Sequence, residues 1–152
     1  MDLQRLKERS LPENNSLVKE YDLLNELIQE LNYRELPPEV VVVMNVEIDR
    51  LNTRPDDHHR LLAGTKAVKR KLLKSALEDL ELVPKNYYRN MWLAIGMTAI
   101  GLPLGVVFSS VRDNVSFISI GLPMGLAIGV AIGTFYDKKA EEENRQLELE
   151  IN

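Results

Sequence analysis

The second half of the chain contains two long uncharged apolar runs, Met91–Val111 and Val115–Tyr136. Each run has about the ~20 residues that a helix rising ~1.5 Å per residue needs to cross a hydrocarbon layer ~30 Å thick. The polar break between them, Arg112-Asp113-Asn114, has room only for a tight turn. Unpaired peptide groups are costly in lipid, so both runs are predicted to be helices of a transmembrane hairpin. The alternative is a buried helical hairpin in a soluble domain.

Glycines recur along both runs in a helical pattern. Small residues let helix backbones approach closely in lipid, where the hydrophobic effect gives little drive for association. The stripe either packs the two helices of one chain together or joins neighbouring subunits into a homo-oligomer. We expect the second arrangement, because one partner helix would leave much of the stripe facing lipid. The predicted packing glycines are Gly121, Gly125, Gly129 and Gly133, spaced by four, and a looser series that includes Gly101 and Gly105.

A short internal repeat places one proline in each run. IGLPLG at Ile100–Gly105 recurs as IGLPMG at Ile120–Gly125. Pro103 and Pro123 each lie roughly ten residues, or ~15 Å, from the turn, which predicts matching depths near the bilayer midplane. A proline removes one helical hydrogen bond and frees the carbonyl four residues earlier. Either a kink around a wet pore or plain helix curvature accounts for the pair.

Neither run contains an ionisable side chain, which argues against a coupled transporter or a proton pump. A pore through a bundle of such helices would be lined by glycine, by apolar side chains that gate through dewetting, or by hydroxyl groups. The candidate pore-lining hydroxyls are those of Thr98, Ser116, Ser119 and Thr134.

Basic residues flank the hairpin at its open end. Lys85 and Arg89 precede the first run, and Lys138 and Lys139 follow the second. The positive-inside tendency therefore predicts that both termini are cytoplasmic. The aromatic residues near this end are typical of an interfacial belt, and the charged N-terminus does not have the pattern of a cleavable signal peptide.

The composition averages two unlike regions. The 152 residues carry a formal net charge of −4 and no cysteine, so disulfides and thiolate metal sites are excluded. We predict an all-α protein: a cytoplasmic N-terminal helical domain over residues 1–86, a transmembrane hairpin over 87–136 with helices at about 91–111 and 115–136, and a charged cytoplasmic tail over 137–152. A head of this size buries only a modest core, which again favours a homo-oligomer.

Within the head, apolar periodicity predicts three helices. The first runs from Ser16, a suitable cap, to Tyr33 with coiled-coil spacing of its leucines. The second begins at Pro37-Pro38, although its run Val40–Val43 also suits a strand. The third spans about 57 to 82 and stops before a proline. A shorter helix at Leu3–Arg9 is expected to precede them.

The third predicted helix carries a basic face. Its stretch from residue 60 to 74 has six basic residues and no acidic ones. Three of them, spaced by four, share one side of the helix, which would suit a phosphate-bearing ligand, an oligonucleotide or acidic lipid headgroups. The alternative is a solvated face paired with acids of the first helix such as Glu26 and Glu30. The candidate ligand-binding residues are Arg60, Lys66, Lys69, Arg70, Lys71 and Lys74.

Asp57-His58-His59 is the only sequence feature that suggests a metal site. A metal centre needs more ligands than the two histidines of this chain supply, and helix capping by Asp56 or Asp57 is the preferred interpretation. Neither a Ser-His-Asp arrangement nor a phosphate-binding glycine loop is present. We therefore predict no cofactor, no metal and no enzymatic activity.

Two segments carry a resemblance to known proteins, VPKNYYRNMWLAIGMTAIGLPLG and ISIGLPMGLAIGVAIGTFYDKKAEEENRQL. They resemble the glycine-zipper hairpin proteins of bacteria, small two-pass proteins with a helical head and a charged tail. The layout is also similar to the channel subunit of Hailong-type anti-phage systems, an oligomeric two-pass channel controlled through its cytoplasmic part by a nucleic-acid ligand. These resemblances imply a bacterial inner-membrane location, membrane depolarisation as the output, and ligand contacts along Lys66–Lys74.

Two functions from different classes are compatible with this pattern. In the first, an oligomer of hairpins in membrane lipid forms an ion-conducting pore, gated by the cytoplasmic helices in response to a nucleic-acid or nucleotide ligand. In the second, the hairpin is a non-conducting anchor for a helical adaptor that recruits a protein partner.

Overall fold

A computed structural model describes residues 2–10, 16–112 and 118–150, and in these ranges the chain is all-helical, with five helices and no strand. It divides into two compact units. The head contains the residues up to Val83 together with Leu147–Leu149, and the hairpin contains Pro84–Gln146 with Glu150. The predicted all-α fold is thus confirmed, whereas assembly into an oligomer stays a prediction.

The head has three helices, α1 (Ser16–Asn32), α2 (Pro38–Asn52) and α3 (His58–Asp79). Their ends lie within three residues of the bounds expected from periodicity. α3 packs against both α1 and α2. The run Val40–Val43 is helical rather than extended, because Val41 belongs to the buried face of α2 and helical burial overrides the strand preference of valine.

Leucine side chains form most of the head's core. Each helix buries one stripe at three- and four-residue spacing, which is the pattern of an amphipathic helix. The largest fully buried side chains are those of Leu17, Leu24, Leu27, Ile28, Leu31, Val41, Met44, Ile48, Leu51, Leu61, Leu72 and Leu147.

The N-terminal segment, residues 2–10, is not helical, so the expected helix at Leu3–Arg9 is wrong. Its backbone amides at Leu3, Gln4 and Lys7 donate to asparagine side chains of α1 and α2 instead of to carbonyls of their own helix. Such side-chain partners satisfy the backbone outside regular secondary structure.

Both ends of α3 have identifiable caps. The Asp57 carboxylate accepts the Arg60 N–H at 2.8 Å, which confirms the capping interpretation. At the other end Glu81 has φ 55°, and the Leu82 N–H donates to the Ala76 carbonyl at 2.8 Å. Glu81 thus ends the helix in the left-handed conformation, at the position where glycine is usual.

The hairpin has two helices long and apolar enough to cross a membrane. The first is continuous from Tyr87 to Arg112 and comprises α4 (Tyr87–Ile95), a π-helical segment (Gly96–Gly101) and α5 (Leu102–Arg112). The second is α6 (Ile118–Glu142). The predicted turn at Asp113-Asn114 lies outside the described residues.

The residues after the hairpin differ from the expected charged tail over 137–152. α6 continues to Glu142, and Asn144 has φ 54° at a Schellman ending, in which the Arg145 N–H donates to the Ala140 carbonyl at 2.8 Å. Leu147 is then fully buried in the head, and its N–H donates to the Val83 carbonyl at 2.8 Å. Apolar side chains within the tail thus complete the core of the head.

Candidate functional site

The glycine stripe of α6 faces the first helix of the same chain. A Cβ atom built on Gly125 would lie 2.2 Å from the Gly96 carbonyl oxygen, and one on Gly121 would lie 2.3 Å from that of Gly101. Real Cβ atoms essentially never come within 3.0 Å of a neighbouring heavy atom, so only glycine fits at these positions. The two backbones therefore touch directly.

The same contact extends along the whole hairpin. A Cβ atom on Gly129 would lie 2.2 Å from the Trp92 carbonyl oxygen, and one on Gly133 would lie 2.4 Å from the Arg89 Cα. Toward the turn, a Cβ atom on Gly105 would lie 2.6 Å from the Ile118 carbonyl oxygen. We call this line of backbone contact the glycine seam.

The glycine stripe packs the two helices of one chain together. This is the first of the two alternatives given by the sequence, whereas we expected the second, packing between subunits. The glycines are buried against the partner helix. In this arrangement the stripe is not free to contact a neighbouring subunit. Contact between the hairpins of two copies would therefore use their outer faces.

The two prolines sit in different local structures at a similar level. Pro103 follows the π-helical segment, where the Leu102 N–H donates to the Met97 carbonyl five residues earlier. This wider turn makes room for the proline ring. Pro123 lies inside α6. The two residues before it in the chain contact the backbone of the first helix closely, since Gly101 lies against Gly121 and Leu122.

The candidate pore-lining hydroxyls do not lie together at the glycine seam. Thr98 is exposed in the π-helical segment, and its hydroxyl donates to the Ala94 carbonyl at 2.9 Å. Thr134 and Ser119 are exposed on α6, and Ser119 takes part in a polar interaction. Ser116 lies outside the described residues. Since the seam is closed, one hairpin encloses no pore.

The outside of the hairpin is largely apolar and unpartnered. Only 17% of the most apolar part of the first helix and 22% of that of α6 are buried. A core helix of a soluble domain would be mostly buried. The exposed large apolar side chains include those of Leu102, Val106, Val107, Phe108, Val111, Ile120, Met124, Leu126, Ile128 and Phe135.

Asp137 closes the open end of the hairpin, a role that the sequence pattern did not predict. Its carboxylate is nearly buried and accepts the N–H groups of Tyr88 and Arg89, both at 2.9 Å. It thereby caps α4 from the neighbouring helix, where the helix dipole favours a negative charge. The signal was present, because Asp137 continues the four-residue spacing of the glycine stripe beyond Gly133.

Aromatic rings cluster at the same end. Tyr136 stacks on Trp92 with ring centroids 6.3 Å apart and lies 5.7 Å from the Tyr88 ring. The rings come from both helices, and their position at a membrane interface stays a prediction.

The basic face of α3 is largely paired with acidic residues of the head. The Lys69 ammonium, whose side chain is only 9% exposed, lies 2.6 Å from the Glu20 carboxylate. Lys66 lies 3.8 Å from the same residue, and Lys71 lies 2.8 Å from Glu47.

The acidic partners differ from those suggested by the sequence. Glu20, which pairs with Lys66 and Lys69, lies next to the buried Tyr21 on α1. Of the acids suggested by the sequence, Glu26 is exposed, and Glu30 lies 3.8 Å from Arg34. Apart from Lys69, the basic side chains of this face stay exposed, and Lys74 lies 3.8 Å from the exposed Glu78.

The histidines stand side by side at the start of α3, with ring centroids 5.6 Å apart. Across the described ranges, no three His, Cys, Asp or Glu side chains are grouped so as to hold a metal ion. Comparisons with protein-family models, curated proteins and solved structures found no match to the chain. The resemblance to glycine-zipper hairpin proteins and to the Hailong channel subunit therefore stays a prediction.

Proposed function

We propose that this chain is a two-pass protein of the bacterial inner membrane whose copies assemble into an ion-conducting pore controlled by the helical head. The exposed apolar exterior of the hairpin carries the membrane part of this proposal. Exposure of so large an apolar surface to water is unfavourable, whereas the hydrocarbon of a bilayer is suited to such a surface. Each spanning helix has 25 residues, or about 37 Å at ~1.5 Å per residue, which is enough to cross ~30 Å of hydrocarbon.

The break in the first helix supports a pore. The π-helical segment and Pro103 lie at the middle of the span Tyr87–Val111, where unsatisfied backbone groups are tolerated only against protein or water. Thr98 exposes a hydroxyl at the same level. Because the glycine seam is closed, we place the conducting path between copies.

Exposed cations on α3 support control by an anionic ligand such as a nucleotide or a nucleic acid. Arg70 and Lys74 lie one turn apart on the outer side of α3, and neither belongs to a buried ion pair. Lys69 is engaged with Glu20 and is not a contact residue in this proposal.

The second candidate is a non-conducting anchor that holds the head at the membrane for a protein partner. This candidate is favoured by the hydroxyl groups of the first helix, which already have hydrogen-bond partners. Thr98 donates to Ala94 and Ser110 donates to Val106, both at 2.9 Å, so these side chains bond their own helix.

Orientation follows the positive-inside tendency. α4 begins and α6 ends at the same end of the hairpin, where Lys85, Arg89, Lys138 and Lys139 lie. We therefore place both termini in the cytoplasm.

Conductance of the purified full chain in planar lipid bilayers tests the pore. We expect stepwise currents, and Thr98→Val should change the single-channel conductance while Ser110→Ala, nearer the turn, leaves it unchanged. Silence, with a monomeric mass in detergent, contradicts the pore. Silence with an intact oligomer favours the anchor.

The ligand response is tested separately with a single-stranded oligonucleotide as the probe. The double substitution Arg70→Glu and Lys74→Glu should abolish the change in current that the probe induces. The control substitution Lys138→Glu, in the hairpin, should leave this change intact. An unchanged response of the double variant contradicts ligand control through this face.

A further inference from the structure

The outer face of α2 is apolar, unlike the outer face of α1, which carries polar residues such as Lys19 and Asp22. Three valines of α2 are each about half exposed, and in the described part of the head they are the only exposed large aliphatic side chains. Valine is β-branched and is among the poorer helix formers, so a helix face that stays in water gains nothing from it. We call this surface, formed by Val42, Val43 and Val46, the valine face.

The valine face lies opposite the buried side of α2. At ~100° per residue, Val43 and Val46 point away from Val41 and Ile48, which are fully buried. The core of the head therefore does not account for these exposed valines.

One charged residue lies at each end of the valine face. Glu39 precedes Val43 by four residues, and Arg50 follows Val46 by four residues, so all four share one side of the helix. Both charged residues are exposed. Within residues 2–10, 16–112 and 118–150, Glu39 forms no ion pair.

The Arg50 end of the valine face has an excess of positive charge. The Glu47 carboxylate lies 2.9 Å from Arg50 and 2.8 Å from Lys71, so two cations share one anion and the cluster has a net charge of +1. Arg50 contacts Glu47 through Nη1 alone and is 64% exposed, which leaves further guanidinium N–H donors facing solvent. This end therefore suits an additional carboxylate.

A second α2 that runs antiparallel to the first satisfies both ends at once. Pairing centred between residues 44 and 45 places Val43 of one copy opposite Val46 of the other. The same pairing places Glu39 opposite Arg50, because each lies about 8 Å from the centre at a rise of ~1.5 Å per residue. Two-fold symmetry makes each of these contacts twice.

The charges of α2 disfavour a lipid surface as the occupant of the valine face. Glu39, Glu47 and Asp49 against Arg50 give the helix a net charge of −2, three negative charges less one positive. The anionic lipids of a cytoplasmic leaflet repel such a helix. Asp49 lies at the margin of the valine face, where it stays in water in the antiparallel pairing.

We propose that the valine face is a two-fold contact between the heads of two copies of this chain, with their α2 helices antiparallel. Burial of the valines removes apolar surface from water, and the Glu39–Arg50 pairs fix the register. A shift by one helical turn would separate both charge pairs. This inference rests on the assembly of copies in the proposed function and not on conduction.

Cross-linking of the full-length chain tests the contact. Because the chain lacks cysteine, Val43→Cys can be placed in a tagged copy and Val46→Cys in an untagged copy, with both copies expressed together. Mild oxidation of the protein in detergent should join tagged to untagged copies. The matched control pairs Val43→Cys with Asp22→Cys, on the exposed side of α1, and should give about tenfold less product or lower.

Charge reversal tests the register. Glu39→Arg brings two cations together at each end of the contact, and Arg50→Glu brings two anions together. We expect either substitution to weaken association by about tenfold, measured as cross-link yield, because the changed contact occurs twice. Both substitutions in one chain exchange the charges and should restore the yield. A loss caused by misfolding would not be restored.

The outcomes separate this inference from the pore. A folded chain that gives no product above the control overturns the contact, and a yield that ignores both charge reversals overturns the antiparallel register. Quenching of a fluorescent label at Val46→Cys by spin-labelled lipid would show that the valine face meets the membrane surface instead. Currents in bilayers without the cross-link overturn only the contact, whereas the cross-link without currents contradicts only conduction.

Discussion

In the head, leucine side chains fill the space between helices, whereas in the hairpin two backbones touch because side chains are absent. Leu24 and Leu72 are almost fully buried in the head core. At the glycine seam, Gly125 and Gly96 leave no room for a single Cβ atom. The head therefore depends on side-chain volume, and the hairpin depends on its absence.

The difference follows from the surroundings that each region suits. Burying apolar side chains stabilises the head because they leave water. A hairpin in lipid gains little by burying an apolar side chain, so close van der Waals contact between backbones must hold its helices together. The two regions should consequently respond in opposite ways to a change of side-chain size.

The largest expected effect is that of an added side chain in the glycine seam. Gly125→Leu requires the two backbones to separate, so we expect a loss of about 3 kcal/mol or more. Spin labels at the exposed positions Ile95 and Ile128 would report a longer distance between the helices. Ala127→Leu, on an exposed face of α6, is the control and should leave the distance unchanged. A tight hairpin in Gly125→Leu would contradict the glycine seam.

In the head, removal of side-chain volume should have the large effect. Leu24→Ala leaves a cavity in the core, which costs about 2–5 kcal/mol. Hydrogen exchange by peptide mass spectrometry in urea would assign the loss to α1 to α3 and not to the hairpin. Val42→Ala, at a position 52% exposed on α2, should stay within about 0.5 kcal/mol. Equal losses in the two variants would refute the assignment of the core.

A smaller effect is expected at the basic face. Lys69→Gln leaves the Glu20 carboxylate without its closest cation in a partly buried site, which we expect to cost about 1–3 kcal/mol. Lys74→Gln breaks only a contact between exposed groups and should cost less than about 0.5 kcal/mol. Urea denaturation followed by circular dichroism measures the stability of each variant. Equal stability of both variants would mean that the ion pair between Lys69 and Glu20 does not stabilise the head.

At the open end of the hairpin, Asp137→Ala removes a cap shared between two helices. We expect a loss of about 1 kcal/mol, confined to the first turn of α4. Faster amide exchange at Tyr88 and Arg89 would record it. Glu141→Ala, one turn further along α6, is the control, and the cap assignment would fail if both variants exchanged at the same rate.

The smallest effect concerns the pH dependence just after α6. A hydrogen bond from Arg145, whose Nε lies 2.8 Å from the carboxylate, lowers the pKa of Glu143 from its ordinary value of 4.5. A lowered folded-state pKa means that the contact stabilises the fold above about pH 4.5 and is lost as the pH falls through the lower, folded value. Carbon NMR of the Glu143 carboxyl in detergent would measure this pKa, which should rise in Arg145→Gln. No rise would exclude the arginine as its cause.

Parts of this architecture follow from local sequence. The helices of the head and the spans of the hairpin were predictable because apolar spacing and the length of uncharged runs act within each segment. The cap at Asp57 was predictable for the same reason, since its partner Arg60 is three residues away. The non-helical conformation of the N-terminal segment was not, because its amides are satisfied by asparagines 29 to 45 positions distant in the chain.

The sequence by itself determined the all-helical fold, the two apolar spans and a small-residue stripe, since periodicity, length and residue size suffice for these. Only the tertiary structure decided that the stripe meets its own chain, that Lys69 pairs with Glu20 and that Asn32, Asn45 and Asn52 bind the N-terminal segment. Each of these depends on which faces of distant elements come together. A local sequence pattern shows which face of a helix is apolar or small, but not which surface packs against that face.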